Sequence, residues 1–545
     1  MSQNSSSFSR DWSNNTGLAW HQIASDDITA GTVVFTTVAA VVLLFFYRFS
    51  SPPIDPREPP LLKPGIPIVG HLVGLARYGI DYFEVLRNSK RKPSPAVTLP
   101  ILNGKAYVLF DRTMIQSAIR HKNLTFDVLG MEFAQRVFGL SDLAMEKLWG
   151  PDHDIETSAA GVTMQRIKTA MTGQSLFRMN AAALNYIAEH LNSEVGEAGL
   201  KVPNLYRWLR DFMTMATAEG LYGSDNPIQK QPDLIDALWA FEGNMQPLFV
   251  GVMPKLIARK AYTNREKVQA ALSRWYVARK DGAPDVAEIT KVRVNTLREF
   301  DFPEEEIGWA EAALLFVATT NTIPTLYWFV TNVWLRPEVV EEVRREALPL
   351  VVLSDGVDGG KRIATLDITQ LEERCPLLVG CYRESIRLGN QSVGTRRVLV
   401  DTVLTDGAGN QHLFKAGCDI MWSVKTLHRS EDVWGPEAME FDPSRFVKSE
   451  DQDVKVERAR KQAYVPFGGG KHLCPGRNFA FAENLGLMAA LVVGFELHGL
   501  DAANVRLGDA KMGEAVAKPP AGAEGGEVVI KRRAGWEDVD WKFMC

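Results

Sequence analysis

Phe467-Gly-Gly-Gly-Lys-His-Leu-Cys474-Pro-Gly476 limits what this chain can become more than any other stretch. Consecutive glycines let a backbone approach another group closely, and one cysteine sits at the end of the loop. The next residues, Arg477-Asn-Phe-Ala-Phe-Ala-Glu-Asn484, carry a helical pattern. Cys474 therefore falls just before a helix N-terminus, whose dipole favours a thiolate. A zinc site would need more Cys or His at short spacing, and no second Cys stands near. A phosphate loop would follow its lysine with Ser or Thr, whereas His472 follows Lys471. Taken alone, the loop is either a metal-binding thiolate tuned by backbone N–H groups or a buried cysteine beside a turn.

Composition narrows the function classes. The 545 residues are 46% hydrophobic and 23% charged, with 61 basic and 66 acidic side chains and a net charge of −5. That balance argues against bulk nucleic-acid binding. Five cysteines are too few, and odd in number, for a disulfide-stapled scaffold.

Ile28–Tyr47 contains no charged residue. At 1.5 Å per residue a helix of that length spans about 30 Å, the thickness of a bilayer core. Asp26 and Asp27 precede it where a signal peptide would be basic. Arg48, Arg57 and Lys63 follow, so the positive-inside bias puts residues 1–27 in the lumen and the body in the cytosol. Asn4 and Asn14 open glycosylation sequons on that luminal side. Residues 48–71 form a hinge, with seven prolines in the seventeen positions from Ser51, which predicts a stiff extended spacer. Residues 72–545 read as one unit.

That unit is mainly helical. Helical spacing covers Asp81–Asn88, Arg112–His121 and roughly 204–222, 232–246, 265–281, 304–335 and 336–350. Short strands are expected at Ala96–Leu99, Ala106–Phe110, Val398–Val403 and around Ile420. Asp301-Phe-Pro-Glu-Glu-Glu306 predicts a helix start with Asp301 as cap. Pro324, inside that helix, frees a carbonyl one turn back and predicts a kink.

The loop resembles that of the cytochrome P-450 superfamily, Phe-x-x-Gly-x-x-x-Cys-x-Gly, matched by Phe467, Gly470, Cys474 and Gly476. Glu384-Ser-Ile-Arg387 fits the Glu-x-x-Arg helix, and Phe441-Asp-Pro-Ser-Arg445-Phe446 fits the Pro-x-Arg-Phe segment, in the right order. The resemblance implies a large helical domain around a heme plus a small β-rich part, preceded by one transmembrane helix. It implies heme b, with Cys474 as axial iron ligand, Phe467, Gly470 and Gly476 shaping its loop, and His472 and Arg396 as propionate partners. Arg396 is preferred over Arg397 because a strand points neighbours to opposite faces. Glu384, Arg387 and Arg445 are then structural.

Most of the family carries an acid and an alcohol on the oxygen-activating helix. Here the matching positions read Thr320 and Asn321, with Thr322 following. The run Asn321-Thr-Ile-Pro-x-x-x-Trp328 is similar to the sterol 7α-hydroxylase and prostacyclin synthase branch. That similarity implies a lipophilic polycyclic substrate (terpenoid, steroid or meroterpenoid). The leading expectation is a membrane-bound monooxygenase of the endoplasmic reticulum, fed by an NADPH-dependent reductase, in fungal specialised metabolism. The alternatives are an isomerase or dehydratase acting on a peroxide, and a heme-binding protein without turnover.

Overall fold

The computed structural model describes residues 30–49, 53–64, 70–89, 94–101, 104–150, 155–251, 253–356, 360–448, 453–509, 511 and 513–545. The expected luminal segment 1–27, with Asn4 and Asn14, and parts of the hinge lie outside the described residues. Helix α1 spans Ala30–Phe49, and its described side chains include Phe35 and Leu44, 74% and 65% exposed. Twenty residues of helix reach about 30 Å. Within the longer apolar stretch Glu304–Trp334, the most apolar 18 residues are 72% buried inside the protein, so it is core.

The described part of the expected spacer, residues 53–64, turns at Pro56–Glu58, where Glu58 N–H reaches the Asp55 carbonyl at 2.9 Å, and is docked on the body. Thr98 Oγ1 donates to the Pro59 carbonyl (2.6 Å), Leu62 N–H to the Thr98 carbonyl (2.9 Å), and Leu413 N–H to the Arg57 carbonyl (2.9 Å). Buried Glu58 accepts from Tyr107 Oη (2.7 Å) and pairs with Lys105. Proline removes the donors that would pair a strand internally, so this segment borrows partners from the sheet beneath it.

That sheet has five strands in the order β1-β2-β5-β4-β3: β1 is Ala96–Ile101, β2 Gly104–Leu109, β3 Leu124–Thr125, β4 Val393–Val398 and β5 Asp419–Ser423. All neighbours are antiparallel except β5 on β2, where Asp419 lies opposite Ala106. The expected strand Val398–Val403 is not continuous. β4 ends at Val398, the chain bends through Leu399 to Asp401, and a separate hairpin strand starts at Thr402. Tertiary bonds impose the bend, since Leu399 N–H is taken by the Asn123 carbonyl, 2.9 Å away.

Helices carry the core. α2 is Arg112–Arg120, capped by the Asp111 carboxylate on Met114 N–H, and α3 is Asp127–Phe138, ended by left-handed Gly139. α4 is Leu205–Tyr222, α5 Asp233–Glu242 and α6 Arg259–Val277. α7, Glu304–Thr319, and α8, Thr322–Trp334, replace the single helix expected over 304–335. α9 is Pro376–Gly389 and α10 Arg477–Gly494, the latter buried continuously from Ala482 to Gly494. Asp301 does not cap α7. It is left-handed (φ 53°) and closes the preceding helix, letting Phe302 N–H reach the Leu297 carbonyl at 3.0 Å, while Pro303 takes the cap position.

Candidate functional site

Cys474 N–H donates to the Phe467 carbonyl at 3.0 Å, which closes the glycine loop. Gly468 (φ 72°) and Gly470 (φ 60°) are left-handed, a conformation costly for other residues. A Cβ on Gly469 would lie 2.6 Å from Ile119 Cγ2, and one on Gly470 would run into the Ile119 carbonyl. The glycines therefore let the loop lie flat on the end of α2. Burial pushes the Cys474 thiol up, while the N–H groups of Gly476 and Arg477 act in the opposite direction. A sulfur so placed is stabilised as thiolate by a bound cation.

Arg396 and His472 share this neighbourhood. Arg396 on β4 is 4% exposed, and burial lowers its pKa to about 10. Its Nη1 donates to the Thr395 carbonyl (2.8 Å), and its guanidinium lies 5.5 Å from the Trp422 ring centre. Its buried Nε has no hydrogen-bond partner. Arg397 points the other way, to Asp419 and Glu132, as strand alternation requires. His472 accepts from Phe126 N–H through Nε2 (3.1 Å), and its Nδ1 is 3.4 Å from Asp127. Burial lowers His472 to about 4, with Arg396, Lys471 and Lys168 adding to the effect and Asp127 opposing it.

The two other motifs converge in the interior. Glu384 accepts from Arg387 Nε and Nη2, both at 2.7 Å, from Arg445 Nη1 at 2.6 Å and from Asp442 N–H at 3.1 Å. Arg387 Nη1 also donates to the His428 carbonyl (2.6 Å), and Arg445 Nη2 to the Glu437 carbonyl (2.8 Å). These bonds tie α9 to the segment that leads into the cysteine loop. Burial and the Arg387 charge lower His428 to about 3, so the imidazole is neutral and accepts from Val465 N–H.

The break between α7 and α8 falls on Thr320 and Asn321. Pro324 has no N–H for the carbonyl one turn back, the predicted cause of the kink. Thr319 and Thr320 hydroxyls bond back to the Leu315 and Phe316 carbonyls at 2.8 and 2.9 Å. The Asn321 carboxamide makes no hydrogen bond among the described residues and is half-buried. Val317, one turn earlier, is 54% exposed although Phe316 and Thr319 are buried. Ala310, Ala313, Val317 and Asn321 thus form an incompletely covered stripe at helical spacing.

Among the described residues no group of three or more His, Cys, Asp or Glu could hold a bare metal ion. A metal on Cys474 must bring its other ligands with it, as a macrocycle does. The unpartnered Arg396 Nε suits the carboxylates of such a group. These features define a helical, macrocycle-binding class of protein.

The chain belongs to the cytochrome P450 family, whose profile matches residues 181–524. A cytochrome P450 monooxygenase of Gibberella zeae is 34% identical over 95% of this chain and 98% of its own. Cytochrome P450 7B1 of Mus musculus is 24% identical over 84% of this chain and 88% of its own, in line with the branch suggested by the Asn321 run. The solved structure of retinoic acid bound cyanobacterial CYP120A1 shares the fold at a TM-score of 0.64 and 18% identity, covering 88% of this chain and 100% of that one. The protein is a cytochrome P450 monooxygenase, an oxidoreductase whose cofactor is heme b.

Sequence reasoning did not find Thr125, Asp127 or Trp422, which surround His472 and Arg396. No motif marks them, because Thr125 and His472 meet across 347 positions.

Proposed function

We propose that Cys474 is the axial heme ligand, with Arg396 as the main propionate partner and His472 beside it. The observation that carries this reading is the buried, unpartnered Arg396 Nε next to a loop that presents a single thiol. Both His472 nitrogens already have protein partners, so its part is to fix β3 and α3 against the loop. Glu384, Arg387 and Arg445 hold the scaffold and do no chemistry. When bound, the heme supplies oxygen activation, for which thiolate ligation favours O–O cleavage. The chain's own residues position substrate, exclude water and deliver protons. Thr320 already donates to Phe316, so proton delivery rests on Asn321 and Thr322, through water or a substrate hydroxyl.

The reaction is oxygen insertion into a lipophilic polycycle such as a terpenoid, steroid or meroterpenoid, in specialised metabolism. Helix α1 anchors the body to the endoplasmic reticulum membrane, and an NADPH-dependent reductase supplies electrons. The test combines the reductase, NADPH and a terpenoid and steroid panel. Difference spectra identify binders, and product per NADPH identifies substrates. Turnover of a peroxide with no reductase present would reverse the choice in favour of an isomerase.

A further inference from the structure

The strand Val539–Met544 is held in the way a bound peptide is held. It lies in parallel register on Arg362–Asp367, from Val539 opposite Arg362 to Met544 opposite Asp367. The two form a three-stranded sheet with Val351–Ser354, and Val539–Met544 is one of its edges. Burial alternates along it: Val539, Trp541 and Phe543 are 0%, 3% and 6% exposed, whereas Lys542 and Met544 are exposed. Alternate side chains of a strand point to opposite faces, so three apolar groups enter the body and the polar ones stay outside.

An edge strand leaves one row of backbone groups open, yet here that row is taken by side chains. Asn192, on the helix Gly173–Glu194, grips Trp541 at both backbone groups: it accepts from Trp541 N–H (2.7 Å) and donates through Nδ2 to the Trp541 carbonyl (3.0 Å). Arg532 donates to the Val539 carbonyl and, through Nε, to the Val195 carbonyl (2.9 Å). Charge sets the register, with Arg362 against Asp538 and Lys361 3.0 Å from Asp540. Trp541 reaches deepest. Its ring stacks on Trp536, with centres 5.5 Å apart and 10° between planes. Gly494, the last residue of α10, passes so close that a Cβ there would lie 2.5 Å from Trp541 Cζ2. The segment is entered through an exposed turn at Ala534 and Gly535, where Gly535 (φ 81°) has open space around it.

We infer that the body carries a strand-accepting site between the helix Gly173–Glu194 and the strand Arg362–Asp367, built for an extended peptide of the form Val-x-Trp-x-Phe. The chain fills it with its own residues 539–543, and from it Trp541 acts as a positioning residue on the end of α10. Main-chain bonds supply the attachment and the inward side chains supply the selection, as in β-strand addition generally. α10 starts directly after Gly476, so the segment steadies from the far end the helix that follows the cysteine loop. The heme reading enters only through one readout of the test.

The test uses the full-length holoenzyme with a protease site inserted between Ala534 and Gly535 and cut after purification. The cut fragment is expected to travel with the body on gel filtration and to leave it in mild urea. The emptied body then binds a fluorescein-labelled 535–545 peptide about thirtyfold more tightly than its Trp541→Ala form, the loss expected of a buried aromatic anchor. A Lys542→Ala peptide, changed on the outward face, binds within about twofold of wild type. Asn192→Ala in the body weakens the wild-type peptide about tenfold, through two lost hydrogen bonds. Hydrogen exchange reads the positioning: protection over 362–367 and 489–494 falls in the emptied body and returns with peptide, while 384–387 keeps its own. Heme transfer to apomyoglobin speeds up and slows again in step. If the emptied body aggregates, Trp541→Ala and Trp541→Phe are compared in the uncut chain, where exchange over 489–494 rises in the first and stays near wild type in the second. Equal binding of the wild-type and Trp541→Ala peptides, or protection lost evenly through α9, would overturn the site. Tight peptide binding with α10 protection unchanged would overturn the positioning role. A wild type with no thiolate-type carbonyl spectrum would overturn the heme reading and leave the binding and exchange results standing.

Discussion

Glu384→Gln is the sharpest test of how the interior is held together. The carboxylate is 0% exposed and faces two guanidiniums, from Arg387 (0% exposed) and Arg445 (5%). Glutamine keeps the shape but offers one acceptor and one donor. With its oxygen in the Oε1 place it still accepts from Arg387 Nη2, Arg445 Nη1 and Asp442 N–H. Its NH2 then meets Arg387 Nε, donor against donor. The larger loss is electrostatic, because two buried cations remain with only the half-exposed Asp442 carboxylate, 3.6 Å from Arg445 Nε, to face them. Breaking such a network costs about 3–5 kcal/mol, which is roughly two to four decades in the folding equilibrium. Total stabilities of about 5–15 kcal/mol leave little margin for that. The expected result is a low heme-to-protein ratio and a lowered urea midpoint, with normal product per NADPH in the loaded fraction. Arg397→Met is the control, since its pairs with Asp419 and Glu132 are partly exposed and worth below about 1 kcal/mol. Normal heme loading in Glu384→Gln, or a coupling defect in what does load, would refute the structural assignment.

Further outcomes are expected alongside it. Cys474→Ala loses the ferrous carbonyl band that gives the family its name, whereas replacing Cys375, Cys381, Cys418 or Cys545 leaves it; a surviving band removes Cys474 from the ligand role. Asn321→Leu removes a donor and an acceptor at similar volume, so NADPH consumption continues while product per NADPH falls; full coupling would make Asn321 a packing residue. Glu483 is raised from 4.5 to about 8 by burial, so the unfolded chain binds fewer protons than the native one between those values and stability falls as pH rises through them. Glu483→Gln should therefore raise the urea midpoint at pH 8 and do little at pH 4.5, both read by urea titration. His428 and His472, lowered from 6.5 to about 3 and about 4, act with the opposite sign: their stability contribution is present above 6.5 and is lost as pH falls towards those values. Deleting residues 1–49 should release the protein from carbonate-washed membranes with its heme spectrum intact; retention would assign attachment to another surface, with exposed Met253, Leu256 and Ile257 the first to mutate.

Elements whose causes are local can be read from the chain alone. The cysteine loop, the Glu384–Arg387 pair, the break one turn before Pro324 and the strand alternation that separates Arg396 from Arg397 all follow from neighbours within a few positions. Those rules act through backbone dihedrals and one helical turn, so they can be read without a fold. Tertiary structure decided what depends on distant partners. Asp301 became the end of one helix instead of the start of the next because a bond to Leu297 used its left-handed conformation. The hinge became a docked arm because Thr98 and Tyr107 offered partners to its prolines' carbonyls and to Glu58. The strand expected through Val403 was cut at Val398 by a bond from Leu399 to Asn123. His472 was drawn to Phe126 and Asp127, leaving Arg396 with the unpartnered donor. Polar groups leaving water must find partners wherever the packed chain brings them, and that choice is made across hundreds of residues.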